Sequence, residues 1–261
     1  MNRRGLTLLE VVLVMGIIVV LAGLLYPTIG RAMATAKAAS TISNIQQLSK
    51  GVVLYAADVD GRMLAATNYG VPAANVGRLW TSNLSGVVRD SNVFLATGVP
   101  GRFAEKWDDR GWASIGMNAG TSVNPKGCAA TVADATGCLG FREPLLLDEV
   151  APNSVIFATT PAGPTDKRYR GYEFEPNNGD GDPRDPASPP LVSDADLVAA
   201  LPELPAELLR PVLGTYGNTG KDDGLAVVGF PDGRAKAFTV NQILSPKVGL
   251  IWRLHLAPRT R

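Results

Sequence analysis

The sequence predicts an α+β protein in which one long N-terminal α-helix, its first half membrane-spanning, packs on an antiparallel β-sheet head. Three observations carry this. The stretch from Val11 to Tyr26 holds no charged or strongly polar residue. A helical-period apolar stripe follows it as far as Ala57. Near the far end, two apolar runs flank Pro231-Asp232-Gly233, a sequence suited to a tight turn.

The N-terminus comes first in order. Residues Met1 to Arg4 are polar and include two arginines, Gly5 follows, and the apolar run begins at Leu6. Leu6 to Ile29 is 24 residues, enough at 1.5 Å rise per residue to cross a hydrocarbon core of about 30 Å. The arginines are expected on the cytoplasmic side. Glu10 interrupts the apolar run, and a carboxylate deep in a membrane helix costs ~2.5–3.5 kcal/mol, less near the helix end. Two readings stand. Thr7-Leu8-Leu9-Glu10 has capping-box spacing, so Glu10 could satisfy a backbone amide at the helix start. Otherwise it is a functional carboxylate.

After Pro27 the pattern stays helical but becomes amphipathic. Ile42, Ile45, Leu48, Val52 and Tyr55 share one stripe, with Lys37, Asn44, Gln47 and Lys50 largely opposite. One helix from Leu6 to about Ala57 would be roughly 75 Å long. Pro27 is expected to kink it, and Gly23 and Gly30 lower its local stability.

Arg4-Gly5 followed by Leu6-Thr7-Leu8-Leu9-Glu10 and a long apolar run resembles the processing and methylation signal of type IV pilins and type II secretion pseudopilins. The resemblance implies a pilin-like fold and cleavage after Gly5 by a prepilin peptidase, with methylation of the new N-terminus at Leu6. Glu10 would be fifth in the mature chain, as in those families, and Pro27 falls where their helix usually carries a proline. Leu6 departs from their usual phenylalanine, which bears on methylation more than on cleavage. The implied partners are the peptidase, other pilin-like subunits and a membrane assembly platform. The implied location is the bacterial inner membrane, single-pass, with the head in the periplasm. The implied division is a leader at 1–5, a transmembrane segment at 6–29, an amphipathic half at 30–57 and a head at 58–261. The weak stretch around Pro27 would unwind when subunits pack into a filament.

Further fragments resemble a large pseudopilin-like family in the order it shows them. They are Ser43-Asn44-Ile45-Gln46-Gln47-Leu48 running into Leu54-Tyr55-Ala56-Ala57-Asp58-Val59-Asp60-Gly61, Trp80 before Val93-Phe94, Ser114-Ile115-Gly116-Met117-Asn118, Ser154 to Thr159, and Phe230-Pro231-Asp232-Gly233. That family's usual histidine ten positions before the last Asp-Gly is replaced here by Asp222.

In the head, Leu225 to Phe230 and Arg234 to Thr239 read as a β-hairpin. Val155 to Thr160, Tyr169 to Phe174 and Val248 to Leu256 are further strand candidates. Asp194 to Leu209 is helix-prone after Ser193, in pieces broken by Pro202 and Pro205, and Asn177 to Pro190 reads as irregular. Gly (28) and Pro (19) are frequent enough for a loop-rich head. Cys128 and Cys138 lie ten positions apart with no zinc-type partners. A local disulfide is one reading, worth ~2–3 kcal/mol and requiring an oxidising compartment; two free buried thiols are the other. The loop from Glu175 to Asp185 clusters oxygen donors, so Asp180, Asp182 and Asp185 are candidate calcium ligands, with a solvated acidic loop as the alternative.

Other chemistry finds little support. Lysines and arginines number 25 against 24 acids, which leaves no field to draw nucleic acid. Gly214 to Lys221 misses phosphate-loop spacing by one residue, and Asp222 stands where a magnesium-binding hydroxyl is needed. His255, the sole histidine, has no motif around it and reads as a packing residue. Trp80, Trp107, Trp112 and Trp252 could form a carbohydrate platform or, more commonly, pack the core. No enzymatic motif emerges. The expected function is a filament subunit; the alternative is a soluble secreted binding protein released by signal peptidase at Ala32-Met33-Ala34.

Overall fold

A single α-helix, α1, runs 51 residues from Leu8 to Asp58, about 76 Å at 1.5 Å per residue. The computed structural model describes residues 8–125, 141, 143–162, 171–174, 212–217, 224–243, 245–252 and 254. α1 is unbroken across Pro27 and has two halves of opposite character. None of the window Leu8–Leu25 is buried. From Ala38 onward, Thr41, Ile45, Leu48, Val52 and Ala56 are buried at steps of three or four residues, the spacing that keeps one helix face on a core. The expected stripe is therefore present: Ile45, Leu48 and Val52 are fully buried, and Ile42 and Tyr55 pack at its margins. The helix ends where Asp60 and Gly61 adopt positive φ (52° and 78°) and Gly61 N–H donates to Ala56 C=O at 2.8 Å.

The other half of the fold is a five-stranded sheet, β1 (Ile115–Asn118), β2 (Phe157–Thr159), β3 (Glu173–Phe174), β4 (Leu225–Gly229) and β5 (Ala235–Thr239), in the order β3-β1-β2-β4-β5. Three of its four pairings are antiparallel, with β2 between β1 and β4. The expected antiparallel sheet is thus present, with one departure at β3, which lies parallel to β1 through Met117↔Glu173 and Asn118↔Phe174. The connection from β2 to β3 has the dozen or so residues that a crossover to a parallel neighbour requires.

The β4–β5 hairpin forms as expected. Phe230 N–H donates to Arg234 C=O (2.9 Å) and Gly233 N–H to Phe230 C=O (3.2 Å), closing a three-residue loop. Gly233 takes the left-handed position (φ 86°) that such loops need. The Asp232 carboxylate adds a bond from Arg234 N–H at 3.1 Å.

Alternation along the strands splits the core into two layers. Leu225, Val227, Ala235, Ala237 and Phe157 face α1, whereas Ala226, Val228, Ala158 and Phe238 face the opposite side. There they meet a short helix, α2 (Val240–Ile243), Leu250 and Trp252. Because both faces are covered, β2 and β4 read in sequence as continuous apolar runs. At the seam with α1, a Cβ on Gly229 would come within 2.5 Å of Ile45 Cγ2, so only glycine permits this approach.

Asn118 and Glu173 fix the sheet's centre. Asn118 Nδ2 donates to Val155 C=O (2.9 Å) and Trp252 C=O (2.8 Å), and its Oδ1 accepts from Gly120 N–H (2.9 Å). Glu173, fully buried, accepts from the Thr67 hydroxyl at 3.1 Å. The strand expected at Val248 to Leu256 does not form over its described residues. A 3-10 turn, Pro246–Val248, ends at Gly249 (φ 70°), and Ile251 makes only an isolated bridge to Ser154. Glycine's left-handed backbone interrupts the extended run. The helix expected at Asp194 to Leu209 and the loop Asn177 to Pro190 lie outside the described residues.

Candidate functional site

The exposed half of α1 is the feature that most requires an explanation. Leu8 is 82% and Leu9 79% exposed, and Val11–Met15 and Ile17–Leu21 are exposed with them. Each such side chain left in water forgoes about 1.5–3 kcal/mol. Lipid or neighbouring apolar helices must cover a surface of this extent. By length and composition, Leu8–Leu25 is able to cross a membrane. Glu10 is the acidic residue of the first turn of α1 and is exposed. Pro27 lies within the same helix. Gly5, Leu6, Cys128, Cys138, Asp180, Asp182 and Asp185 fall outside the described residues, as does His255.

The junction where α1 enters the head is built from residues far apart in the chain. The Tyr216 hydroxyl is hydrogen-bonded to the Thr41 hydroxyl and donates to Thr97 C=O at 3.1 Å. Thr97 N–H donates to Thr41 Oγ1 at 2.8 Å, and the Thr97 and Ser40 hydroxyls lie 2.8 Å apart. Burial pushes the Tyr216 phenol above its ordinary value, and the bond to Thr41 partly opposes this. The node ties two head loops to one turn of α1, and its tyrosine belongs to the stretch where sequence spacing failed to give a phosphate loop. Nothing local marks it, since a tyrosine 175 positions from its partner carries no periodic signal.

Beside this node is a groove of about 320 Å³, lined on α1 by Gly30, Met33, Ala34 and Lys37 and on the head by Gly98 and Tyr216. Among the described residues Lys37 is the only charged one in its lining. A Cβ on Gly98 would lie 2.7 Å from Lys37 Cδ and 3.2 Å from Nζ, so the lysine stem rests on the bare glycine backbone. No ion pair among the described residues involves Lys37.

The tryptophans resolve as packing residues. Trp80 and Trp252 are buried. Trp80 packs at a tilt against Phe94 and Phe157, with ring centroids 5.7 and 5.0 Å away, and donates from Nε1 to Tyr172 C=O at 2.6 Å. Trp107 is covered by Arg78 and Arg110, each 4.4 Å from its ring, and Trp112 by Arg102 at 5.1 Å. A flat stacking platform for sugars is not what these four make.

Residues 1–26 match the family described as Prokaryotic N-terminal methylation motif. No curated protein and no solved structure matches the chain. The motif is the prepilin-type cleavage and methylation signal typical of type IV pilins and pseudopilins, and here it precedes a pilin-like α+β fold. Signal and apolar helix together imply a pilin-like protein that is processed by prepilin peptidase and anchored in the inner membrane. Proteins of that class are generally non-enzymatic structural subunits.

Proposed function

We propose that the chain is a structural subunit, a pilin or pseudopilin, of a type IV pilus-like or type II secretion filament. One observation carries this reading: a helix with a matched processing signal is exposed throughout Leu8–Leu25 and apolar there apart from Glu10, yet buried on one face from Ala38 onward. Such a helix has one half for the head and one for lipid first, then for the helices of neighbouring subunits. Cleavage after Gly5 makes Leu6 the first residue and brings Glu10 within reach of the new amine. In an apolar filament core a carboxylate is tolerable only beside an opposite charge. Glu10 therefore pairs with the amine of Leu6, in its own or an adjacent chain, and sets register. Gly23, Pro27 and Gly30 supply the stretch of low helix stability that lets subunits adjust as they leave the membrane. The partners are prepilin peptidase, other pilin-like subunits and a membrane assembly platform. Crosslinking between cysteines placed along Leu8–Leu25 in the native host tests it. Subunit ladders support the filament, and monomers alone speak against it.

A second reading has one observation in its favour. The buried face of α1 begins at Ala38, downstream of Ala32-Met33-Ala34, so cleavage there would leave the packed part of the helix intact. The product would be a soluble head starting near Thr35. Finding that species as the main cellular form would establish it.

A further inference from the structure

We infer that the groove beside Lys37 holds the phosphate headgroup of an anionic membrane lipid, in the leaflet next to the head. This rests on the membrane-anchored reading of α1. The membrane-spanning window closes at Leu25, and the uncharged sequence runs on to Gly30. The hydrocarbon boundary thus falls between Leu25 and Ile29, and the headgroup layer beyond it is roughly 5–8 Å thick. Gly30 to Ala34 covers about 6 Å of helix axis, so the helix wall of the groove lies at headgroup depth. Side chains on a helix tilt toward its N-terminus, which here is toward the membrane, and a lysine stem carries its ammonium back in that direction.

The groove has the chemistry of an anion site. Among the described residues of its lining the one charge is the ammonium of Lys37, held by a stem laid over Gly98, and none of them is a carboxylate. An ammonium offers three donors to phosphate oxygens. Met33 and Ala34 give an apolar floor on the membrane side, suited to the glycerol and first methylenes of a lipid rather than to a free ion. The geometry therefore favours a lipid over a soluble phosphate.

The test uses the full-length chain extracted in detergent and supplied with equal amounts of phosphatidylglycerol and phosphatidylcholine, with retained lipid counted by native mass spectrometry. The protein should retain phosphatidylglycerol roughly fivefold over phosphatidylcholine, the preference expected for one interfacial lysine. Lys37→Gln should bring the ratio to parity, and Lys37→Arg should keep it. Equal retention by the unaltered chain, or a preference that survives Lys37→Gln, overturns the assignment. Loss of the preference on adding millimolar inorganic phosphate overturns it in favour of a soluble ligand. Alkaline carbonate extraction of the same chains reads the anchor separately. Release by carbonate counts against the membrane-anchored reading itself, whereas a chain that stays in the membrane without lipid preference counts against the headgroup site alone.

Discussion

The hydroxyls of Thr41 and Tyr216 are hydrogen-bonded to each other inside the head, 175 positions apart in sequence, at the turn where α1 leaves the packed domain. One turn below this bond the buried face of α1 begins at Ala38, and above it that face stays buried. The pair therefore marks the mechanical boundary between anchor and head, and Thr97 completes it from a second loop.

Tyr216→Phe removes the hydroxyl and leaves Thr41 and Thr97 C=O short of a partner. The expected loss is about 1–3 kcal/mol, read by chemical denaturation of the full chain in detergent with core tryptophan fluorescence. The pH dependence has a definite sign. Burial raises the phenol above its ordinary value of 10.0, so its contribution is whole below that value and is lost as pH rises through the folded-state value. Phenylalanine has no such loss. The gap between the two proteins should narrow on the alkaline side; a constant gap contradicts the burial argument.

Gly229→Ala places a methyl against Ile45 Cγ2 and Ser49 Oγ, 2.5 and 2.7 Å away. Overpacking of this kind costs about 1–3 kcal/mol. The denaturation midpoint should fall with membrane retention unchanged, because the clash lies inside the head, where β4 meets the buried face of α1 and Phe157 of β2. An unchanged midpoint would mean that the seam is looser than these distances imply.

Asn118→Asp replaces two donated bonds, to Val155 C=O and Trp252 C=O, with oxygen facing oxygen. The variant should be destabilised by more than Asn118→Ala, itself expected to cost about 2–4 kcal/mol by leaving buried backbone groups unpaired. Proteolysis of the folded chain at neutral pH compares the two. Equal resistance would deny Asn118 its bridging role.

The helix and the hairpin were legible because each has a local signature. Ile42, Ile45, Leu48, Val52 and Tyr55 repeat at helical spacing, and Pro231-Asp232-Gly233 supplies both turn chemistry and the residue that accepts positive φ. β1 was read only as a fragment of resemblance. Ile115–Asn118 is four residues buried on both faces, so it shows no alternation. β3 has just two residues in the sheet and owes its parallel pairing to a crossover, not to pattern. The run from Val248 carried strand-like residues, but Gly249 breaks it. At the junction, Lys37 sits on the face assigned to solvent and Tyr216 in a failed phosphate loop. Only tertiary folding brings them to one groove.

Glu10→Val removes a costly charge, about 2.5–3.5 kcal/mol at a helix centre and less near its end, so membrane content should be unchanged or slightly higher. Assembly with other pilin-like subunits should fail. Glu10→Gln separates the two roles: a cap survives the amide, whereas pairing with an amine does not. Shear-fraction recovery in the native host reads both variants. Normal assembly of the valine variant would end the pairing hypothesis, and normal assembly of glutamine alone would favour the cap.

The processing signal is the root of the account, and the N-terminal mass of the mature protein from native membranes tests it most directly. A chain beginning at Leu6 with one methyl on its amine is the expected result. A membrane form still starting at Met1, or a soluble form starting near Thr35, would contradict it.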